Sequence, residues 1–191
     1  LESFNFDHLL NHVPEIRQLN INIDTIAFTP PIDSSDMEPE LWSRIVTIIE
    51  ENYEKYDGFV ILHGTDTMSF TASALSFMLE DLMKPVVLTG SQLPIGALRT
   101  DGKENLITAI EIAAAKNAEG NPMVPEVCVF FHEKLMRGNR TTKINSESFG
   151  AFGSNNYPPL GVAGTSIQYY TNNIKKYIPG KKLKAHHEYN N

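Results

Sequence analysis

The sequence predicts an α/β domain built on an open, mostly parallel sheet with helices on both faces. Three observations carry this prediction. Short, unbroken apolar runs recur at Phe59–His63, Pro85–Thr89 and Val127–Phe131. Each is brief, β-branched or aromatic, and lacks polar alternation, which marks strands covered on both sides. Between the runs the apolar residues switch to helical spacing, and strand, helix, strand in regular order implies parallel crossovers.

The elements follow in chain order. Leu1 to Asn11 reads as part of an amphipathic helix and not as a leader peptide. Thr25–Phe28 is a weaker fourth strand. In the first long helix Leu41, Ile45, Ile48, Ile49 and Tyr53 share a face, with Ser35 or Asp36 ahead of it as the expected N-cap. After the first strand Phe70, Ala74, Leu75, Met78, Leu79 and Leu82 repeat the helical pattern, and Leu106, Ile110 and Ala113 do so after Thr100 and Asp101. Gly150 to Pro159 is loop-like, and Ser166 to Tyr170 reads as one more strand. Beyond Tyr170 the chain turns Asn- and Lys-rich and holds five of the 16 basic residues. We therefore expect a domain over residues 1–170 and a linker over 171–191 leading toward a further domain, the chain being a piece of something longer.

Composition narrows the function. With 191 residues and 41% apolar, the chain supports one cored domain and is not intrinsically disordered. A net charge of −7 argues against nucleic acid or an anionic membrane as a partner. No apolar run is long enough to span a bilayer. The lone Cys128 cannot form an internal disulfide and fits a reducing, cytoplasmic setting. It lies in an apolar strand with nothing nearby to activate it, so it reads as core.

In open α/β sheets ligands bind beyond the carboxyl ends of the strands. The loops to inspect are therefore Asp33-Ser34-Ser35-Asp36, His63-Gly64-Thr65-Asp66-Thr67, Gly90-Ser91-Gln92 and Arg137 to Lys143. A threonine hydroxyl such as that of Thr65 attacks only when a base takes its proton, and a desolvated lysine can be that base. Asp66 could hold such a lysine or pair with a ligand ammonium group. Thr65 and Asp66 could equally just cap the next helix, and Ser34, Ser35 and Asp36 could bind a carboxylate or cap theirs. Lys143, Arg137 and Arg140 read by default as surface or paired charges. His186, His187 and Glu188 lack metal-ligand spacing and read as solvent-facing. Neither a dinucleotide fingerprint nor a phosphate-binding loop occurs, so the residues give a hydroxyl-rich polar site and no cofactor or metal.

Taken together, the motifs resemble the bacterial-type L-asparaginases. The likeness runs through Asp33-Ser34-Ser35-Asp36-Met37, Asp57 to Met68, Leu88-Thr89-Gly90-Ser91-Gln92, Leu98-Arg99-Thr100-Asp101-Gly102 and Arg137 to Lys143, and covers nearly all of residues 3–170. The Asp-Ser-Ser-Asp turn and the run Thr71 to Leu79 are similar to the type I, cytoplasmic branch. The resemblance implies a flavodoxin- or Rossmann-like N-terminal domain and hydrolysis of L-asparagine to L-aspartate and ammonia without cofactor. It also implies a homo-oligomer, dimer or tetramer. By the same resemblance Thr65 is the second of two catalytic threonines, forming a triad with Lys143 and Asp66. Asp66 also holds the substrate ammonium group, Ser34 and Ser35 grip the α-carboxylate, and the Ala97 carbonyl accepts from the substrate amide.

One departure stands out. The family's nucleophilic threonine lies in a Thr-Gly-Gly-Thr-Ile segment that these residues do not contain, and the smaller C-terminal domain is absent as well. A chain of these residues alone is expected to be inactive, since it lacks the acyl-accepting hydroxyl. Two other functions share the motifs: an ammonia-supplying subunit of a tRNA-dependent amidotransferase, and a non-catalytic module that binds an amino acid. The negative charge and the type I signatures argue against the first.

Overall fold

A computed structural model describes residues 6–188. Its helices are α1 (Phe6–His12), α2 (Pro39–Asn52), α3 (Met68–Met78) and α4 (Gly102–Ala114). Its strands are β1 (Phe59–Leu62), β2 (Leu79–Glu80), β3 (Val86–Thr89), β4 (Val127–Phe131) and β5 (Lys134–Arg137), followed by β6 (Thr142–Lys143), β7 (Phe152–Gly153), β8 (Gly161–Ala163), β9 (Ile167–Tyr169) and β10 (Lys184–Ala185). The main sheet has the order β1-β3-β4-β5-β8-β9. Its first three strands run parallel, Val60 beside Val87 and Val87 beside Cys128, whereas β5, β8 and β9 join antiparallel. The sheet is thus mixed, and its parallel half is the part the apolar runs foretold.

Strand alternation explains why those runs are unbroken. Val127, Val129 and Phe131 face one core with Val86 and Leu88, beneath α2 and α3. Cys128 and Phe130 point the other way with Val87, against Ala109, Ile112 and Ala113 of α4. Both faces are covered, so every position of β4 is buried and apolar. Burial pushes the Cys128 thiol well above its usual pKa, as expected of a core cysteine. A third cluster joins Leu9, Val13 and Ile16 to Leu106 and Ile110 of α4. The expected first helix is therefore present from Phe6, and residues 1–5 lie outside the described ones.

Several expectations are corrected. Thr25–Phe28 forms no strand; Phe28 instead packs on the core edge under the Arg44 guanidinium, 4.6 Å from its ring centroid. Helix α2 starts at Pro39 after Glu38, because Ser34–Asp36 makes its own short 3-10 turn capped by Asp33. Phe70 is exposed, since it sits one position off the buried stripe of Thr71, Leu75 and Met78. Leu79 and Leu82 remain buried but lie past the end of α3, where Leu79 enters β2. The Lys-rich stretch also carries core: Ile174 is buried, and Leu183 and Ala185 pack on the α2–α3 side. Its strand β10 pairs antiparallel with β2. His186 is exposed and His187 half-buried, and both are bonded, the first to Glu80 at 2.8 Å and the second to Glu50 at 2.9 Å.

Candidate active site

Loops from separate parts of the chain meet beyond the carboxyl ends of β1 and β3. The loop after β1 begins with the His63 amide donating to the Thr89 carbonyl, 2.9 Å, which extends the parallel ladder by one residue. Next to it Gly64 has no room for a side chain: a Cβ there would lie 2.4 Å from Ser34 Oγ and 2.6 Å from Ser34 Cβ. The turn over Ser34–Asp36 is held in that place because Thr67 Oγ1 donates to the Ser34 carbonyl at 2.6 Å. Gly90 is equally constrained, as its Cβ would meet the His63 carbonyl oxygen at 2.2 Å.

Lys143 arrives from the opposite direction. It sits in β6 across from Phe152 of β7, and Phe152 stacks at a tilt on Phe131 with ring centroids 4.9 Å apart. The Ile144 amide closes this ribbon onto the Ala151 carbonyl, 2.8 Å. So anchored, Lys143 donates from Nζ to Thr65 Oγ1 and to Asp66 Oδ1, both at 2.8 Å. Its side chain is 19% exposed, against 65% for Asp66. The arrangement is a buried-stemmed ammonium between a hydroxyl and a carboxylate that remains open to a ligand.

This geometry speaks against the capping reading of Thr65 and Asp66. Helix α3 begins after Thr67 with no side-chain cap, and the Thr65 hydroxyl accepts from Lys143. Neither residue caps the helix. Ser34 is buried against Gly64 and so belongs to the same cluster. Ser35 lies beside it but is exposed, its hydroxyl donating to Asp33 Oδ1 at 2.8 Å. That carboxylate also accepts the Ser35 amide, and the two bonds hold Asp33 below the usual aspartate pKa. Ala97 sits in the turn that follows β3, where its carbonyl accepts from the Thr100 amide at 3.1 Å; no described contact joins it to Thr65. Among the described residues no group of three or more His, Cys, Asp or Glu is placed to hold a metal ion.

Several residues that shape the site escape a reading by spacing. Asp101 is buried and accepts from the Gln92 amide at 3.0 Å and from the Leu93 amide at 3.1 Å, which folds the loop after β3. Asn105 is 1% exposed; it donates to the Gly90 carbonyl at 2.9 Å and accepts from the His132 amide at 2.9 Å. Thr71 bridges Trp42 Nε1, 2.9 Å, and His63 Nε2, 2.8 Å. The one signal available was position: Thr71 and Asn105 are polar residues on helix faces that are otherwise apolar.

Known proteins are similar to this chain in sequence and in fold. The family model described as "Asparaginase, N-terminal" matches residues 1–175. L-asparaginase 1 of Escherichia coli K12 is 52% identical over 157 residues, which is 82% of this chain and 44% of that protein. A 60 kDa lysophospholipase of Mus musculus is 49% identical over 157 residues, covering 82% of this chain and 27% of its own. The crystal structure of L-asparaginase I from Vibrio cholerae superposes with a TM-score of 0.82 at 45% identity, over 96% of this chain and 54% of that one. The chain thus spans about half the length of the asparaginases it matches or less. Matched from residue 1 to residue 175, it belongs to the asparaginase family, in the part that the family description calls N-terminal.

Proposed function

We propose that this chain carries an amide-hydrolysing site that converts L-asparagine to L-aspartate and ammonia, as in a type I L-asparaginase. The observation that supports it is the Lys143 ammonium bridging Thr65 and Asp66 at 2.8 Å. A lysine so placed takes the proton of a threonine hydroxyl once it is itself deprotonated, and Asp66 steadies the charge that results. Thr65 serves as the second catalytic threonine. A first threonine, in a Thr-Gly-Gly-Thr-Ile segment that these residues do not contain, would form the acyl intermediate as ammonia leaves; water then releases aspartate. Asp66 remains exposed enough to receive the α-ammonium group; in this reading Ser34 and Ser35 grip the α-carboxylate and the Ala97 carbonyl accepts from the side-chain amide.

The same reading implies a homo-oligomer, and a cytoplasmic setting consistent with the buried Cys128. Among the described residues no helix is long and apolar enough to cross a membrane. Ammonia supply to a partner amidotransferase is the less favoured alternative, since tRNA-directed work suits a basic surface and this chain carries −7. The test is ammonia release from L-asparagine and L-glutamine by the intact protein that contains this chain. Turnover on asparagine that Thr65→Val abolishes supports the proposal. Tight asparagine binding with no ammonia released would make it a binding module instead.

A further inference from the structure

His63 is a half-buried titratable group beside the site that the reaction above leaves unused. Both of its ring nitrogens are engaged: Nε2 lies 2.8 Å from Thr71 Oγ1 and Nδ1 lies 2.7 Å from the Gly64 carbonyl oxygen. The polarity of this chain of bonds follows from its two ends. Trp42 Nε1 is a donor only, so at 2.9 Å the Thr71 hydroxyl must accept from it. The Gly64 carbonyl can only accept, so Nδ1 must carry the imidazole proton and donate it there. Nε2 of the neutral ring is then an acceptor, and the Thr71 hydroxyl, which already accepts from Trp42, turns its own proton toward it.

The geometry points to a one-way relay, Trp42 to Thr71 to His63 to Gly64, that fixes His63 as the Nδ1–H tautomer and makes it a positioning residue for Thr65. The Gly64 carbonyl belongs to the peptide that leads directly into Thr65. Its neighbour, the His63 carbonyl, is pressed against Gly90, and the His63 amide is already tied to Thr89. The ring therefore supplies the last constraint on the Gly64–Thr65 peptide, and through it on the hydroxyl that meets Lys143. Burial adds to this by keeping the imidazole below its usual pKa and hence neutral. With no spare nitrogen, His63 carries no proton to or from substrate.

The consequence for catalysis rests on the hydrolase reading; the tautomer does not. The imidazole nitrogens of the intact, isotope-labelled protein at neutral pH, read by long-range proton–nitrogen correlation, are expected to show His63 protonated at Nδ1. In Trp42→Phe the Gly64 carbonyl still holds the Nδ1 proton, so the tautomer is expected to persist while the Nε2 resonance shifts as the Thr71 hydroxyl is freed from Trp42. An Nε2-protonated ring in the unaltered protein, or no change in Trp42→Phe, overturns the relay. Kinetics on asparagine then separate donors: His63→Asn places an amide N–H near the Nδ1 position and should keep kcat/KM within about threefold, whereas His63→Gln reaches toward Thr71 instead and should lose about tenfold or more. Equal losses in two folded variants would overturn the positioning role. An Nδ1-protonated ring in a protein that releases no ammonia from asparagine would sink the hydrolase reading alone and leave the relay standing.

Discussion

Lys143 Nζ lies 2.8 Å from Thr65 Oγ1 although 78 positions separate the two residues in the chain. The contact exists because β6 is pinned to β7 under Phe131, which directs the lysine back over the end of β1. What Lys143 contributes can be separated by charge. Arginine keeps the cation but stays protonated in proteins, so it cannot act as a base. We expect Lys143→Arg to lose at least about 100-fold in asparagine turnover, close to Lys143→Met, with melting temperatures within a few degrees of each other. Near-normal ammonia release by Lys143→Arg would reduce the lysine to an electrostatic role.

The contact between Gly64 and Ser34 makes a second prediction. A methyl group at Gly64 would fall 2.4 Å from Ser34 Oγ, so one of the two loops must move. Gly64→Ala is expected to destabilise by about 1–3 kcal/mol, the usual range for overpacking. Ser34→Gly removes the obstructing atoms, so the double variant should recover most of that loss. Chemical denaturation of the four proteins in the cycle measures the coupling, and strict additivity would mean that the two residues do not obstruct each other.

How much of this was legible beforehand follows from the physics of each element. Strands β3 and β4 were plain because burial on both faces leaves an unbroken apolar signature at Val86–Thr89 and Val127–Phe131. Edge strand β1 carries the same kind of run at Phe59–Leu62, although it is only partly buried and Leu62 is exposed. Strands β6, β7 and β10 are two residues each and are set by long-range pairing, so no local pattern announces them. The apolar Thr25–Phe28 misled for the opposite reason: a β-like composition forms a strand only where a neighbour offers a ladder, and here none does. At the site, spacing gave the hydroxyls and carboxylates but left Lys143 an ordinary surface lysine. Only the resemblance linked it to Thr65. His63 stood at the end of an apolar run and at the head of the Gly64-Thr65-Asp66 loop with no role of its own, because a relay through Trp42 and Thr71 joins residues from α2, α3 and the loop after β1 that no spacing rule connects.

The buried ion pair between Glu126 and Arg137 yields a third prediction. Glu126 is 1% exposed in its side chain and receives Arg137 Nε at 2.7 Å. Its second oxygen accepts the Lys175 amide at 2.7 Å, and Arg137 donates to the Asn173 carbonyl at 3.0 Å. The pair thereby ties the start of the Lys-rich segment to the sheet. Glu126→Ala leaves a guanidinium with only 17% exposure and no counter-ion, a change that costs about 3–5 kcal/mol when such a pair is broken. Protease sites after Lys175 and Lys176 should open at the same time. Stability lost without faster cleavage there would separate the ion pair from the tethering.

His63 also predicts a pH dependence of stability, and its sign is fixed by the direction of its shift. Burial lowers the folded pKa beneath the ordinary value of 6.5. Above 6.5 the ring is neutral in both states, so it adds no slope. Between 6.5 and the folded value the unfolded chain binds a proton that the folded chain refuses, which makes unfolding more favourable as pH falls. The difference in denaturation free energy between the unaltered protein and His63→Asn, followed from pH 8 to pH 5, isolates this group from the other histidines. The unaltered protein should lose more stability than the variant as the pH drops below 6.5, with the two curves running parallel above it. Carboxylates do not confuse the window: Asp33, Asp57 and Glu80 are all held below their ordinary values of 3.8 to 4.5, so their losses begin at lower pH. Parallel curves throughout would mean that the imidazole protonates as readily in the fold as outside it, which a half-buried ring held between Thr71 and Gly64 should not do.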